Sequence, residues 1–162
     1  MHERKRMLLV AMDFDGIAYY HLYEEGETVN AERYRDFLSR IIPDFRARKK
    51  IQHVMLLHDN AKPHKARFVS QFLLENKISS WDHPPYSPDI SPPDFNCFGP
   101  MKRHLGGKRY SSWPEFVEAL EEEIRNGNDS GFYQGVRDLE SRWKLKRLGC
   151  TCKVCKISCL YL

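Results

Sequence analysis

Two apolar runs constrain this chain most: Met7-Leu8-Leu9-Val10-Ala11-Met12, and Val54-Met55-Leu56-Leu57 set between His53 and His58. Neither alternates polar with apolar, so each reads as a strand covered on both faces, which requires helices above and below a sheet. Each run also ends at an aspartate, Asp13 and Asp59. Asp13-Phe14-Asp15-Gly16 is a tight-turn signal, and the strand formers Ile17–Tyr23 after it predict a β-hairpin. Asn30 is the expected N-cap of a helix whose stripe is Tyr34, Phe37, Leu38 and Ile41, with Pro43 kinking or ending it and a solvated basic end at Arg46–Lys50. Asn60–Pro63 reads as a turn, and Pro63 as the start of a helix to about Glu75. A short strand, Ile78–Trp81, follows. Five of the nine prolines then fall between positions 84 and 93, a stiff loop ending at a helix start near Asp94. Helices are expected at about Trp113–Asn126 and Gly131–Leu145. This order predicts an α/β chain with a mixed sheet over residues 1–145.

Charge and cysteine are both lopsided. Residues 142–162 carry six basic residues and no acid, which leaves 20 of the 26 basic residues against all 22 acidic ones in the body. The pI of 8.8 therefore reflects the tail. Four of the five cysteines (Cys150, Cys152, Cys155, Cys159) crowd into that tail; Cys97 alone lies in the body, as expected of an intracellular chain without a disulfide framework. No apolar stretch approaches the roughly 18–20 residues of a membrane span, and no secretory leader is read at the N-terminus. The segment 146–162 lacks periodicity and is expected to be an unstructured basic tail. Its spacing fits no zinc finger, and a shifted or unspliced reading frame is the better account of it.

Asp59 and Asp94 carry the chemistry. An aspartate ending a buried strand stands where open α/β sheets place their sites. Carboxylates on rigid elements are also hard oxygen donors for Mg²⁺. Taken singly, each has a bland reading, as a turn residue and a helix cap. Their surroundings change the weighing. His58-Asp59-Asn60-Ala61-Lys62-Pro63-His64, with His83-Pro84-Pro85-Tyr86-Ser87-Pro88-Asp89 and Pro93-Asp94-Phe95, resembles the mariner family of DNA transposases. The 34 residues between Asp59 and Asp94 match the family's spacing of its second and third catalytic aspartates. Gly16-Ile17-Ala18-Tyr19-Tyr20, Tyr34 and Arg142-Trp143 extend the likeness over about residues 5–145.

The resemblance implies an RNase H-like mixed sheet flanked by helices. It also implies Asp59 and Asp94 as catalytic, metal-holding residues, Mg²⁺ or Mn²⁺ in a two-metal arrangement, and DNA (transposon ends and target) as partner. Homodimerisation and nuclear placement follow from it as well. In the family a first catalytic aspartate sits upstream of the hairpin, on the sheet's central strand, and recognition modules lie further upstream. Neither is read here, so the expectation is an N-terminally truncated catalytic domain, inactive alone, with its central strand absent. Asp13 is set aside as a substitute, because antiparallel topology puts it about 15–20 Å from Asp59, at the opposite sheet edge. The gap predicts direct pairing of the two buried strands, an exposed edge or poor folding. Lys62 and His64 are expected to meet nucleic acid, with His58 and His64 also able to orient the site; Trp81 and Tyr86 are read as packing residues. The alternatives to a transposase fragment are a non-catalytic nucleic-acid-binding or host-recruited interaction module, and a relaxed two-carboxylate nuclease.

Overall fold

The computed structural model describes residues 6–81, residues 91–139 and the backbone of 153–161. Its centre is one five-stranded sheet of order β2-β1-β5-β3-β4. Strands β1 (Met7–Asp13) and β2 (Gly16–Leu22) form the expected hairpin, closed at the Asp13–Gly16 pair. Gly16 turns the corner at φ 128°, where a side chain would be strained and would collide with Asn128. Strand β3 (Val54–His58) pairs in parallel with β4 (Ile78–Trp81). Every residue of β1 is buried. Leu9 and Ala11 pack in one cluster; Leu8, Val10 and Met12 pack in another on the opposite face. The unalternating run thus means what it suggested.

The first cluster lies under α1 (Ala31–Lys49) and α2 (Arg67–Glu75). Asn30 caps α1, its side chain accepting from the Arg33 amide at 2.9 Å. Helix α1 does not stop at Pro43. It continues to Lys49, because Ile41, Ile42 and Phe45 are buried on both sides of the exposed proline and packing outweighs the lost amide bond. Its basic end is only partly solvated, since Lys49 and Arg48 reach Asp13. Helix α2 begins at Arg67, later than expected. Residues 61–65 first close a turn, in which the His64 and Lys65 amides both donate to the Ala61 carbonyl.

The second face is covered by a π-helical turn (Pro93–Phe98), α3 (Gly99–Leu105), α4 (Trp113–Asp129) and a 3₁₀ turn (Gly135–Asp138). The helix expected from Gly131 gives way there to turn structure. Gly131 adopts φ +72°, and Asn96 clamps this turn by accepting from the Gly135 amide and donating to the Phe132 carbonyl. Residues 140–152, including Arg142-Trp143, and the Pro-rich residues 82–90 with Tyr86 lie outside the described residues. None of the described helices is long and apolar enough to cross a membrane.

The centre of the sheet departs from expectation. It is occupied by β5 (Lys153–Tyr161), from the segment read as an unstructured tail. Strand β5 runs antiparallel to β1, from Met7–Tyr161 to Met12–Lys156, and parallel to β3, from Val54–Lys153 to His58–Ile157. The three outcomes expected of a central gap are therefore corrected. Two buried strands facing each other across a vacant slot would strand rows of amides and carbonyls at about 1–3 kcal/mol each, and a third strand satisfies them. In a sheet covered on both faces that strand needs no polar–apolar alternation, so its lack of periodicity was no sign of disorder. The side chains of Cys155 and Cys159, and all of Cys150 and Cys152, lie outside the described residues, and with them the question of a zinc site.

Candidate active site

Asp59 follows β3 directly. Its carboxylate is 46% exposed, and one oxygen receives a hydrogen bond and a short contact from its own turn. The Ala61 amide donates to Oδ1 at 3.0 Å, and His64 Nδ1 lies 2.6 Å from the same atom. The His64 ring sits in a stack: its centroid is 4.0 Å from Tyr34 and 5.2 Å from His58, to which it is nearly parallel at 8°. Tyr34 closes the group, its hydroxyl 2.8 Å from His58 Nδ1. A hollow of about 490 Å³ opens beside these residues, bounded also by Asn60, Lys65, Leu74 and Trp81.

Asp94 stands in the first turn of the π-helical segment, exposed, with no ion pair among the described residues. Its backbone amide and that of Phe95 are held by the Ser91 carbonyl at 2.9 and 3.0 Å. This turn packs against β5, and its Cys97 and Phe98 share a core with Leu57, two residues before Asp59. Both candidate carboxylates are thus exposed on elements anchored to the β5–β3 centre of the sheet. Two exposed carboxylates completed by water and substrate phosphates suit Mg²⁺ or Mn²⁺. Among the described residues no group of three or more His, Cys, Asp or Glu is arranged to hold a metal ion.

Lys62 is exposed on the loop after Asp59, as a phosphate contact requires. His64 is not: at 3% exposure it faces Asp59 and Tyr34, and the expected nucleic-acid contact gives way to an internal one. Trp81 is half-buried. Asp13 lies at the other edge of the sheet, 2% exposed, with Lys49 Nζ 2.9 Å away.

Sequence reasoning missed a second polar group, under α4. Tyr133 donates to Glu123 Oε1 at 2.5 Å, and exposed His104 approaches the same oxygen at 2.8 Å. Burial and this hydrogen bond push the Tyr133 phenol well above its ordinary value, and burial does the same to the Cys97 thiol. No sequence signal marked this group, because its members come from α3, α4 and the turn after α4 and meet only in the folded chain.

Residues 2–117 match the family described as DDE superfamily endonuclease. The Mariner Mos1 transposase of Drosophila mauritiana is 34% identical over 148 residues, 87% of this chain and 42% of that protein. The Histone-lysine N-methyltransferase SETMAR of Homo sapiens is 29% identical over 154 residues, 89% of this chain and 22% of that protein. The chain therefore spans less than half the length of these relatives. Among solved structures, the Mos1 transposase paired-end complex with left transposon end superposes with a TM-score of 0.79 at 34% identity, covering 88% of this chain and 43% of that one. The Mos1 transposase catalytic domain with Raltegravir and Mn gives 0.73 at 34% identity, covering 86% and 72%. The mixed sheet between helical layers is thus the RNase H-like fold that the resemblance implied.

Proposed function

The chain belongs to the DDE superfamily of endonucleases, and from that premise we propose that it is the scaffold of a metal-dependent, DNA-cutting catalytic domain of the mariner kind, with Asp59 and Asp94 as its metal-holding residues. The observation that carries this reading is the exposed carboxylate that ends β3, held at Oδ1 by its own turn and by His64. The likeness to Mos1 structures holding transposon-end DNA, and Mn or Mg, supports DNA as partner and a divalent ion as cofactor. Nuclear placement and a homodimer accompany the same reading.

A pair of divalent ions bound here would supply Lewis acidity and a lowered pKa for an attacking water. The chain's own part is positional. Strand β3 and the turn 61–65 fix Asp59, the Ser91 carbonyl and the packed π-helical turn fix Asp94, and Lys62 offers a charge to a neighbouring phosphate. The ancestral reaction is cleavage of a DNA strand by water, followed by attack of the freed 3′-hydroxyl on target DNA. We further propose that the 162-residue chain does not cut by itself. The strands neighbouring β3 are β4 and β5, and neither Ile78–Trp81 nor Lys153–Tyr161 contains an acidic residue that could add a third carboxylate beside Asp59.

Plasmid nicking in Mg²⁺ or Mn²⁺, set beside DNA retention at rising salt, tests both statements. Salt-sensitive retention without nicking is the expected result. Nicking that vanishes in Asp59→Ala would overturn the inactivity and keep the metal assignment. Failure to retain DNA at low salt would remove the DNA reading.

A further inference from the structure

We propose that His64 is a positioning residue for Asp59, setting the rotation of its carboxylate through Oδ1 while Tyr34 and His58 hold the imidazole in place. The inference rests on the reading of Asp59 as a metal ligand and specifies how that ligand is oriented. Three observations carry it. His64 is 3% exposed while its acceptor is 46% exposed. An exposed carboxylate can be satisfied by water, so a buried donor spent on it acts on direction more than on burial. Second, the groups within reach of His64 Nδ1 are both acceptors, Asp59 Oδ1 at 2.6 Å and the Asp59 carbonyl at 3.3 Å. The proton must therefore sit on Nδ1. The carbonyl takes the hydrogen bond, and the carboxylate oxygen is held closer still, in a short polar contact with the same ring nitrogen. Third, the ring has little freedom to turn. It lies against Tyr34 on one side and parallel to His58 on another, and Tyr34 is itself fully buried and bonded to His58. The Ala61 amide donates to the same oxygen, so Oδ1 is held by one backbone donor and by its short contact with the ring. A carboxylate so held meets a divalent ion with its rotational entropy already spent.

The distinguishing variants are His64→Asn, whose amide nitrogen falls near the Nδ1 position, and His64→Gln, whose amide falls near Nε2. Mn²⁺ binding to the full chain, read from loss of the free-ion electron paramagnetic resonance signal, should weaken by about 10–100-fold in His64→Gln. It should stay within about threefold of wild type in His64→Asn, the conservative change that keeps a donor at the Nδ1 position. Equal weakening in both, or in neither, would overturn the proposal. Asp59→Asn is the separate check: unchanged Mn²⁺ binding there refutes Asp59 as a ligand and takes the wider reading down, whatever His64 does. Should the His64 variants fail to fold, nitrogen-15 NMR of the wild-type imidazole decides. A proton on Nδ1 whose resonance shifts upfield in Asp59→Asn is the expected signature, and a proton on Nε2 alone would end the argument.

Discussion

Asp13 and Asp59 look alike in the sequence, each closing an apolar strand and opening a turn, yet the fold treats them in opposite ways. Asp13 is sealed at 3% side-chain exposure beside Lys49 and Arg48, and its Oδ1 accepts from the Asp15 amide. Asp59 is 46% exposed, and its described ion pair is with an imidazole. The first arrangement neutralises a carboxylate and excludes an ion; the second presents one. A lysine ammonium within 3 Å already occupies the place a divalent cation would take. The lesson is that an acid's position on a strand proposes a site, while the charge and exposure of what surrounds it decide whether the site exists.

The largest expected effect tests what keeps the two aspartates apart. Strand β5 runs antiparallel to one parent strand and parallel to the other, so it fixes them at opposite edges. Deleting residues 153–162 unpairs both buried neighbours, and at about 1–3 kcal/mol per stranded group this exceeds the roughly 5–15 kcal/mol of a typical domain. The truncated chain should lose cooperative urea unfolding at 25 °C; an unchanged midpoint would show that β5 is dispensable.

Next comes Lys49→Met, which leaves Asp13 buried beside only the more distant Arg48 at 4.0 Å. We expect a loss of about 2–3 kcal/mol in urea denaturation, below the full cost of breaking a buried pair because Arg48 remains. Mn²⁺ binding should not change, and a change would mean that the two ends of the sheet are coupled. The pH dependence has a definite sign. Burial works against charged Lys49, but its hydrogen bonds to Asp15 and Asp13 outweigh this and raise its pKa above 10.5. The stabilisation is therefore complete below 10.5 and is lost as pH rises through the higher folded value. Lys49→Met should flatten that alkaline limb.

Asp59→Asn should behave in the reverse manner. Without metal its melting temperature should match wild type closely, since an exposed carboxylate contributes little to stability. With Mn²⁺ at about a hundred times its dissociation constant, wild type should gain about 2.7 kcal/mol and the variant almost none. Equal gains in both would place the ion elsewhere. The smallest effect belongs to Tyr34→Phe, which removes the hydroxyl bonded to His58 and should cost about 0.5–1.5 kcal/mol in denaturant unfolding. A much larger loss would make the ring stack a folding element and not a brace.

Local signals were legible where the physics was local. The Asn30 cap, the Asp13–Gly16 turn, the two buried strands and the short strand Ile78–Trp81 needed only neighbouring residues to specify them. The place of Asp59 directly after a buried strand was legible for the same reason, since it sits within one motif. At His64 the sequence left a nucleic-acid contact and a role in orienting the site both open, because a histidine in a polar turn gives no sign that Tyr34, 30 residues earlier, will bury its ring. At Pro43 a kink or an end was open from the local penalty, and the packing that carries the helix on to Lys49 was not visible.

By itself the sequence determined that two unalternating strands must lie inside an α/β sandwich and that Asp59 and Asp94 stand at the starts of turns. Periodicity and backbone chemistry act over a few residues, and those are read directly. The tertiary structure alone decided that Lys153–Tyr161 would fill the middle of the sheet, that Asp13 would be neutralised and that His64 would turn inward against Tyr34. Each of these joins residues far apart in the chain, and what settles them is the cost of leaving a buried amide, a buried charge or a buried ring without its partner.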